Sequence, residues 1–452
     1  MCKNLLFVSF GIWVVLSGLS GCQKMVEQSP AFDLDEAIGL AMEEASGGVG
    51  LQAYILPESD DFASIPQDPR NPINVAKVDL GKKLFHETRL GIRPKYTEGM
   101  YTYSCASCHH VEAGFQAGIQ QGIGEGGLGF GYTGEKRIAN PMYPTDSLDV
   151  QPVRSPSALN IAYQTNVLWN GQFGATHVNE GTESRWTDGT PIAVNKLGYE
   201  GTETQAIAGL TVHRMDLDQG LIFSTVYKEY FDHAFAEVDS VDRYSKENAG
   251  LAIAAYERTL LANHSPFQRW LKGEKRAMSD FEKRGALLFF GEANCVSCHN
   301  GPALNSMEFY ALGMRDMEGP GTYGGASSQN PANLGRGGFT GKPEDNFKFK
   351  VPQLYNLKDS PFYGHGGTFH SVREIVEYKN RAVSENQNVP ASQLAPGFIP
   401  LHLTDAQINQ ITGFLERSLY DPHLDRYVPV RIPSGFCFPN NDESSRHDMG
   451  CN

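Results

Sequence analysis

Two copies of one short pattern constrain this chain more than any other feature. Residues 105–109 read CASCH and residues 295–299 read CVSCH, so each copy has two cysteines three positions apart and a histidine directly after the second. The chain has only 8 cysteines and 13 histidines among 452 residues, which makes even one such pentapeptide improbable by chance. The two copies therefore predict two sites with the same chemistry.

The order of residues in this pattern indicates covalent attachment of a c-type haem. Two thiols add to the vinyl groups of the porphyrin, and the imidazole that follows reaches the iron. A structural zinc site needs four ligands in paired knuckles, and a thioredoxin-like motif does not require the trailing histidine. We expect two haems, with His109 and His299 as proximal iron ligands and His110 at the surface. The four attaching cysteines are Cys105, Cys108, Cys295 and Cys298.

The first residues have the character of an export signal. Lys3 precedes the apolar stretch LLFVSFGIWVVLSGL, which is too short for a comfortable membrane span. It ends in LSGC, which resembles the lipobox of bacterial lipoproteins. We expect residues 1–21 to be removed and Cys22 to carry a lipid anchor on the periplasmic side of a membrane. A plain secretory signal, or a segment buried in the fold, is the alternative.

The last two cysteines indicate the compartment, and the net charge indicates which partners are suitable. Cys437 and Cys451 enclose a segment rich in turn-forming residues, and in an oxidising compartment we expect them to form a disulfide. Two free thiols are the alternative. The formal net charge of −14 argues against nucleic acid as a partner and leaves room for a basic protein.

The surroundings of the two motifs are similar at matched spacing. LGKKLF (80–85) precedes the first motif and RGALLF (284–289) precedes the second. Downstream of each motif, a proline is followed after four residues by an asparagine and after nine more by a tryptophan or a histidine. The matched pairs are Pro156 and Pro352, Asn160 and Asn356, and Trp169 and His365. This repetition predicts a duplicated haem-binding unit.

The periodicity of the apolar residues is helical. SDFEKRGALLFF begins with Ser279 as a predicted N-cap, and Glu282 completes a capping box. KENAGLAIAAYERTLLANH and TDAQINQITGFLERSL also have helical spacing. The expected organisation is a tether and extension over 22–70, a first haem domain over 71–270, a second over 271–425, and a C-terminal tail over 426–452.

From about Val78 to Leu419 the chain resembles the bacterial di-haem cytochrome c peroxidases, a family that includes the MauG-type enzymes. The resemblance is carried by DLGKKLFHETRL, both C-x-x-C-H motifs, PSALN and LWNG, SPFQRWLKGE, LGRGGFTG, FKVPQLYNL and GHGGTFHSVREIV. It implies an all-α fold of two cytochrome c-like haem domains related by internal duplication, with long loops. The haem on His109 would react with peroxide, and the haem on His299 would supply electrons to it through Trp169.

The resemblance implies an oxidoreductase that reduces hydrogen peroxide to water. Its electrons would come from an external donor, such as a cytochrome c, another small redox protein or a quinol-linked donor. Three other functions remain open. A MauG-like enzyme would oxidise a protein substrate, an electron-transfer cytochrome would have no catalytic activity, and a structural or metal-sensing lipoprotein would hold no covalent haem.

One departure from the family concerns the first haem. Family members that need reductive activation have a histidine in the loop after the first motif, which blocks the peroxidatic iron. The corresponding residue here is Glu125, and a carboxylate is a poor replacement for imidazole. We therefore expect an open coordination position even in the oxidised protein, unless His110 or His177 binds instead.

A second departure concerns acid–base chemistry. The family has a glutamine before an alanine, and a glutamate before a methionine about ten residues later. Gln205 matches the glutamine, but Arg214 stands before Met215 in place of the glutamate. We expect His213 to act as general base, because its ordinary pKa of about 6.5 suits neutral pH, and Arg214 to stabilise the departing hydroxide. One alternative is that this loop has lost its peroxidatic acid. Another is that Glu203 is the acid–base residue.

The third departure concerns the distal ligand of the second haem. Peroxidases have a methionine, and MauG-type enzymes a tyrosine, 14 residues after the position of His365. That count reaches Lys379, with Tyr378 beside it. We expect Tyr378 or Lys379 to be the ligand, ahead of the methionines of the preceding loop. Those are Met307, Met314 and Met317.

The family often binds calcium between its domains through an asparagine side chain and backbone carbonyls. Arg154 occupies the position of that asparagine. A guanidinium group has no acceptor atom and cannot be a calcium ligand. The sequence therefore argues against bound calcium.

Overall fold

The computed structural model describes residues 33–324 and 329–451, and the expectations for residues 1–21 and Cys22 lie outside this range. Its thirteen α-helices in the described residues confirm the expected mainly helical fold. The helices are α1 Leu34–Ala45, α2 Val75–His86, α3 Gly201–Val212, α4 Gln219–Ser224, α5 Tyr227–Ala234, α6 Ser240–Arg243, α7 Lys246–Arg258, α8 Pro266–Leu271, α9 Asp280–Phe290, α10 Arg336–Thr340, α11 Val372–Arg381, α12 Asp405–Gly413 and α13 Glu443–Met449. From Leu34 onward the chain forms one compact unit.

The strands in the described residues are only two residues long. They form two antiparallel ladders, in which Gly127 pairs with Ala139 and Phe309 pairs with Lys350. The strands are β1 Gly127–Leu128, β2 Ile138–Ala139, β3 Phe309–Tyr310 and β4 Phe349–Lys350. Strands this short organise loops and do not form a core.

The three helices expected from periodicity are present. α9 begins after Ser279, whose side chain accepts from the N–H of Glu282, and Glu282 returns the bond to the backbone of Ser279. The capping box is therefore confirmed. α7 ends at Arg258, and α12 continues from Phe414 as one π-helical turn.

Two helix pairs are packed closely enough that only glycine fits at their crossing points. α2 crosses α7 at Gly81, where a Cβ atom would lie 1.9 Å from the carbonyl oxygen of Ala252. α9 crosses α12 at Gly285, where a Cβ atom would lie 2.0 Å from the carbonyl oxygen of Gln410. Gly81 and Gly285 are the glycines of the matched sequences LGKKLF and RGALLF. The same contact is thus made once before each motif.

The matched asparagines also have the same geometry. Asn160 and Asn356 both adopt left-handed backbone conformations, with φ of 56° and 53°. Each N–H donates to a carbonyl just beyond the end of a helix, and each side-chain oxygen accepts from the N–H two residues further on. The bonds are Asn160 N to Leu260 O (2.7 Å), Ala262 N to Asn160 Oδ1 (3.0 Å), Asn356 N to Leu419 O (3.0 Å) and Asp421 N to Asn356 Oδ1 (3.1 Å).

Both ends of the described chain pack into these helix pairs. Ile38 and Met42 of α1 are fully buried in the apolar cluster around α9 and α12. Tyr427, in the tail, belongs to the cluster around α2 and α7 and accepts a hydrogen bond from Tyr256 at 3.0 Å. The described part of the expected extension, residues 33–70, therefore contributes to the core.

The C-terminal tail returns to the first motif. Cys437 and Cys451 form a disulfide with a Cα–Cα distance of 5.9 Å. Within the segment that they enclose, Asp442 forms a buried ion pair with Arg137 at 3.4 Å. None of the helices in the part of the chain that the structure describes has the length and apolar character that a membrane span requires.

The glycine contacts predict the effect of adding one methyl group. In Gly285→Ala the new Cβ would collide with backbone, which cannot rotate away, so we expect an overpacking cost of about 1–3 kcal/mol and a lower Tm. Gly39, in α1, is the control because nothing lies within 4 Å of its added Cβ. Gly39→Ala should leave Tm unchanged or raise it, since alanine is the better helix former by up to about 1 kcal/mol. Equal Tm values for the two variants would contradict the close packing.

Candidate haem sites and the cavity between them

Each C-x-x-C-H motif begins with a single 3₁₀ turn, Cys105–Ser107 in the first and Cys295–Ser297 in the second. All four motif cysteines are free thiols. The hydroxyls of Ser104 and Ser107 donate to the carbonyl of Pro439 at 2.9 and 3.1 Å. The tail therefore holds the first turn through its two serines and does not engage its cysteines.

The two motif histidines are held in the same way. His109 Nδ1 lies 3.2 Å from the carbonyl oxygen of Phe115. His299 Nδ1 lies 3.1 Å from the carbonyl oxygens of both Leu304 and Pro352. Burial lowers the pKa of each histidine to about 4, so the rings are neutral. Because a carbonyl only accepts, Nδ1 carries the proton and Nε2 keeps its lone pair, as in a metal-binding histidine.

One cavity of about 640 Å³ is lined by both histidines. Cys295, Cys298 and Trp169 also line it, and much of its wall is apolar. The apolar lining includes Ile161, Val167, Leu312, Val351, Val376 and Leu415. The two cysteines of the second motif and the neutral imidazoles of both motifs, in an apolar wall, fit covalently attached haems. In the described ranges no three His, Cys, Asp or Glu side chains stand together as a metal-binding group, whereas a zinc site needs four ligands.

Trp169 is anchored at both its ring and its backbone. Its indole Nε1 donates to the carbonyl of Arg154 at 2.8 Å, and its own carbonyl accepts from the N–H of Lys350 at 2.7 Å. The Lys350 side chain donates to Gln164, and burial lowers the pKa of Lys350 to about 7. All four residues line the cavity.

Of the three residues expected at the peroxide site, the structure brings only Gln205 into the cavity wall. His213 Nδ1 lies 2.9 Å from Asp149 Oδ2. Burial disfavours the charged ring, but the Asp149 carboxylate outweighs that effect and raises the pKa of His213 above its ordinary value. His213 is close enough to His109 to help lower the pKa of His109 through its charge.

Arg214 forms an ion pair with the buried carboxylate of Glu125. Glu125 also accepts from the N–H groups of Lys95 and Tyr96 at 2.6 and 3.2 Å and from the hydroxyl of Tyr143 at 3.2 Å. Its carboxylate is therefore occupied by four donors. In this geometry Arg214 neutralises Glu125 and does not line the cavity.

The other two histidines near the first site have separate partners. His110 is buried, contrary to our expectation of a surface residue, because its ring packs on Phe130 and its Nε2 lies 3.0 Å from the carbonyl of Thr133. His177 is more than half exposed and lies 3.9 Å from Glu200. Neither histidine lines the cavity.

Glu203, the further acid–base candidate, is part of a buried ion pair. Its carboxylate accepts from Arg258 Nε at 2.8 Å and from Nη2 at 2.6 Å, and Asn71 donates at 3.3 Å. Both charged side chains have no exposed surface. Glu203 is absent from the cavity wall, so its role is to neutralise Arg258.

Glu257 is the only carboxylic acid among the described residues that line the cavity, and no sequence motif pointed to it. Its Oε2 atom is buried without a hydrogen-bond partner, and burial raises its pKa to about 8. The available signal was its position in α7, where Ala254 and Ile253 stand three and four positions before it on the same face of the helix.

The two candidates for the distal ligand of the second haem point in different directions. Tyr378 is fully buried, packs against Phe369 and Phe398, and donates its hydroxyl proton to the carbonyl of Leu312. Lys379 lines the cavity, and burial lowers the pKa of its amine to about 8. Among the methionines considered, Met314 lines the cavity while Met307 and Met317 do not.

Comparisons with known proteins agree with this geometry. Residues 75–276 match the sequence profile of a family described as di-haem cytochrome c peroxidase. The chain is 29% identical to the cytochrome-c peroxidase IdrP1 of Pseudomonas sp. (strain SCT), over 81% of this chain and 86% of that protein. It is 24% identical to the methylamine utilization protein MauG of Methylorubrum extorquens, over 79% of this chain and 82% of that protein.

Among solved structures, the fold resembles that of a MauG-like protein associated with microbial copper homeostasis. The TM-score is 0.55 at 22% identity, covering 82% of this chain and 95% of that one.

The Glu203–Arg258 pair predicts a structural effect. Glu203→Gln removes the fully buried one of the two carboxylates that pair with Arg258 and leaves only Glu200 at 3.0 Å, so we expect a loss of about 1–3 kcal/mol, measured as a lower Tm. Asp188→Asn is the control because the Lys196–Asp188 pair is exposed, and such pairs contribute at most about 1 kcal/mol. An unchanged Tm for Glu203→Gln would contradict the structural role.

Proposed function

The chain belongs to the di-haem cytochrome c peroxidase family, and on this basis we propose that it reduces hydrogen peroxide to water with electrons from an external cytochrome c or similar small redox donor. The observation that carries the proposal is the single cavity lined by His109, His299 and Trp169. Bound haems would supply iron that exchanges single electrons. Cys105 and Cys108 would hold one haem with His109.

The second haem would be held by Cys295, Cys298 and His299. We further infer that the two halves arose by duplication. The matched glycine contacts at Gly81 and Gly285 support this inference, as do the identical hydrogen bonds at Asn160 and Asn356. A duplicated unit explains why two motifs 190 positions apart have the same local geometry.

The first site, on His109, would be the one that reacts with peroxide. Gln205 lies in the cavity wall, and the Asp149–His213 pair lies close by. Neutral His213 would accept a proton from peroxide, and Asp149 would stabilise the imidazolium that forms. The four donors on Glu125 keep this carboxylate away from the cavity, which supports a peroxide site that is open without prior reduction.

The second site would pass electrons to the first. Lys379 lines the cavity and its amine has a lowered pKa, so we propose Lys379 as the distal ligand in preference to Tyr378. Trp169 would relay electrons between the sites. The proposal also includes export and a lipid anchor on Cys22, and the disulfide between Cys437 and Cys451 supports an oxidising compartment.

Rapid mixing of the fully oxidised holoprotein with stoichiometric hydrogen peroxide tests the proposal. We expect a change in the Soret absorbance within milliseconds, because Glu125 is engaged elsewhere and no reduction is needed to open the site. Reaction only after one electron has been added would show that another residue blocks the coordination position at the first site in the oxidised protein. No reaction in either state would exclude the peroxidase.

The proton-accepting role of His213 predicts a specific loss. His213→Ala should slow the reaction with peroxide about 100-fold, whereas Glu257→Gln should change it little. The rate should rise with pH through the pKa of His213, which Asp149 holds above its ordinary value. Asp149→Asn removes that charge and should move the midpoint to lower pH. A 100-fold loss in Glu257→Gln with none in His213→Ala would assign the proton to Glu257.

The choice of distal ligand predicts different spectra for two neighbouring variants. Lys379→Ala should convert one haem to a high-spin spectrum, because it removes a ligand from the cavity. Tyr378→Phe should leave both haem spectra unchanged, because the hydroxyl donates to the carbonyl of Leu312 and Tyr378 does not line the cavity. Electron paramagnetic resonance of the oxidised protein measures both. The reverse result would assign the ligand to Tyr378.

A further inference from the structure

The Arg154 side chain is a buried cation without an anionic partner. It is 2% exposed, and among the described residues it forms no ion pair with a carboxylate. Five neutral oxygen atoms surround its two terminal nitrogens. They are the carbonyls of Ile119 (2.7 Å), Gln120 (3.2 Å) and Ala117 (2.8 Å), the amide oxygen of Gln116 (3.2 Å) and the hydroxyl of Ser360.

A cage of this kind has the properties of a cation site. An unpaired buried charge is costly unless dipoles are oriented toward it, and here three backbone carbonyls point at one group. The ring of Phe362 lies 5.3 Å from the guanidinium carbon and adds a cation–π contact. Carbonyl, amide and hydroxyl oxygens are also the donors that calcium takes. The guanidinium fills the space, so the residues do not fit a bound calcium ion.

The cage joins two distant parts of the chain. Gln116 to Gln120 follow the first motif, whereas Ser360 lies after the second. Alongside the guanidinium, the Arg154 N–H donates to the carbonyl of His365 at 2.8 Å, and the Gln120 side chain donates to the carbonyl of Gly366 at 2.9 Å. One buried cation thus holds the loop after the first haem motif against the loop that carries His365.

The same residue holds the indole of Trp169. The carbonyl of Arg154 accepts from Trp169 Nε1 at 2.8 Å, so the backbone that the guanidinium anchors is the backbone that orients the indole. Gln116, Arg154 and Trp169 all line the cavity. Displacement of the Arg154 side chain would therefore remove one of the contacts that fix the backbone acceptor of the tryptophan.

We propose that the Arg154 guanidinium is a built-in cation that takes the place of a divalent metal ion, joins the two haem-bearing halves and positions Trp169 between them. The cation part of the proposal is independent of the enzymatic activity. The relay part rests on the proposed function of Trp169. Arg154 is a positioning residue, because it acts on the cavity through the indole.

The first experiment compares the Tm of the wild-type holoprotein after chelator treatment, with and without millimolar calcium. We expect no change, since the cage already holds its cation. A Tm that falls with the chelator and recovers with calcium would overturn the proposal, and this result needs no variant to fold.

The second experiment empties the cage. Arg154→Asn removes the guanidinium and leaves the carbonyls, so this variant should lose stability in chelator and gain a calcium response. Saturating calcium should raise its Tm by about 5 °C. Arg154→Lys is the matched control, because its ammonium keeps the charge and should prevent a calcium response. Glu203→Gln, destabilised at a different ion pair, should show no calcium response either.

A spectroscopic readout separates positioning from general stability. After reduction by one electron, the rate of electron transfer between the haems should fall at least about tenfold in Arg154→Asn and recover when calcium is added. A folded Arg154→Asn protein without any calcium response would overturn the cation cage. A calcium-dependent Tm with an unchanged electron-transfer rate would overturn the positioning of Trp169. If wild-type protein fails to react with peroxide, the proposed function fails while the calcium experiments still test the cage.

Discussion

The hydrogen bond from each motif histidine to a backbone carbonyl is the interaction on which the candidate sites depend. His109 bonds to Phe115, and His299 bonds to Leu304 and Pro352. An imidazole whose Nδ1–H is engaged presents Nε2 in a fixed direction and in the neutral form, which is what iron coordination requires. Phe115 is buried in the apolar cluster around α2 and α7, and Leu304 is buried in the cluster around α9 and α12. The packing of these acceptor residues therefore helps to fix where the two imidazoles lie.

The buried charged side chains around the cavity differ in how their charge is compensated. Glu203 neutralises Arg258, and Glu125 neutralises Arg214, outside the cavity wall. Arg154 and Lys350 line the cavity and bond only to neutral oxygens. The basic groups at the wall are therefore stabilised by neutral dipoles, whereas these two carboxylates are neutralised by arginines. Glu257 is the exception, and its raised pKa keeps it protonated at neutral pH.

Much of the fold and part of the site could be predicted from local patterns. The capping box at Ser279, the helices α7 and α12 and the pairing of Cys437 with Cys451 follow from spacing and residue type, because each depends on neighbours within about 15 positions. The partners of the polar candidates could not be predicted. His213 meets Asp149 across 64 positions, Arg214 meets Glu125 across 89, and Glu203 meets Arg258 across 55. Only the folded chain selects one partner among many equivalent charged side chains.

The sequence by itself determined that this protein has two C-x-x-C-H sites, a mainly helical fold, and matched residues around each site, because these features are written in short motifs. The tertiary structure decided which candidate lines the cavity. Tyr378 and Lys379 are adjacent, yet a helix turns neighbouring side chains in different directions, so one bonds to Leu312 and the other lines the cavity. It also decided that a guanidinium can fill a cage of carbonyls at Arg154, since backbone oxygens have no signature in a sequence.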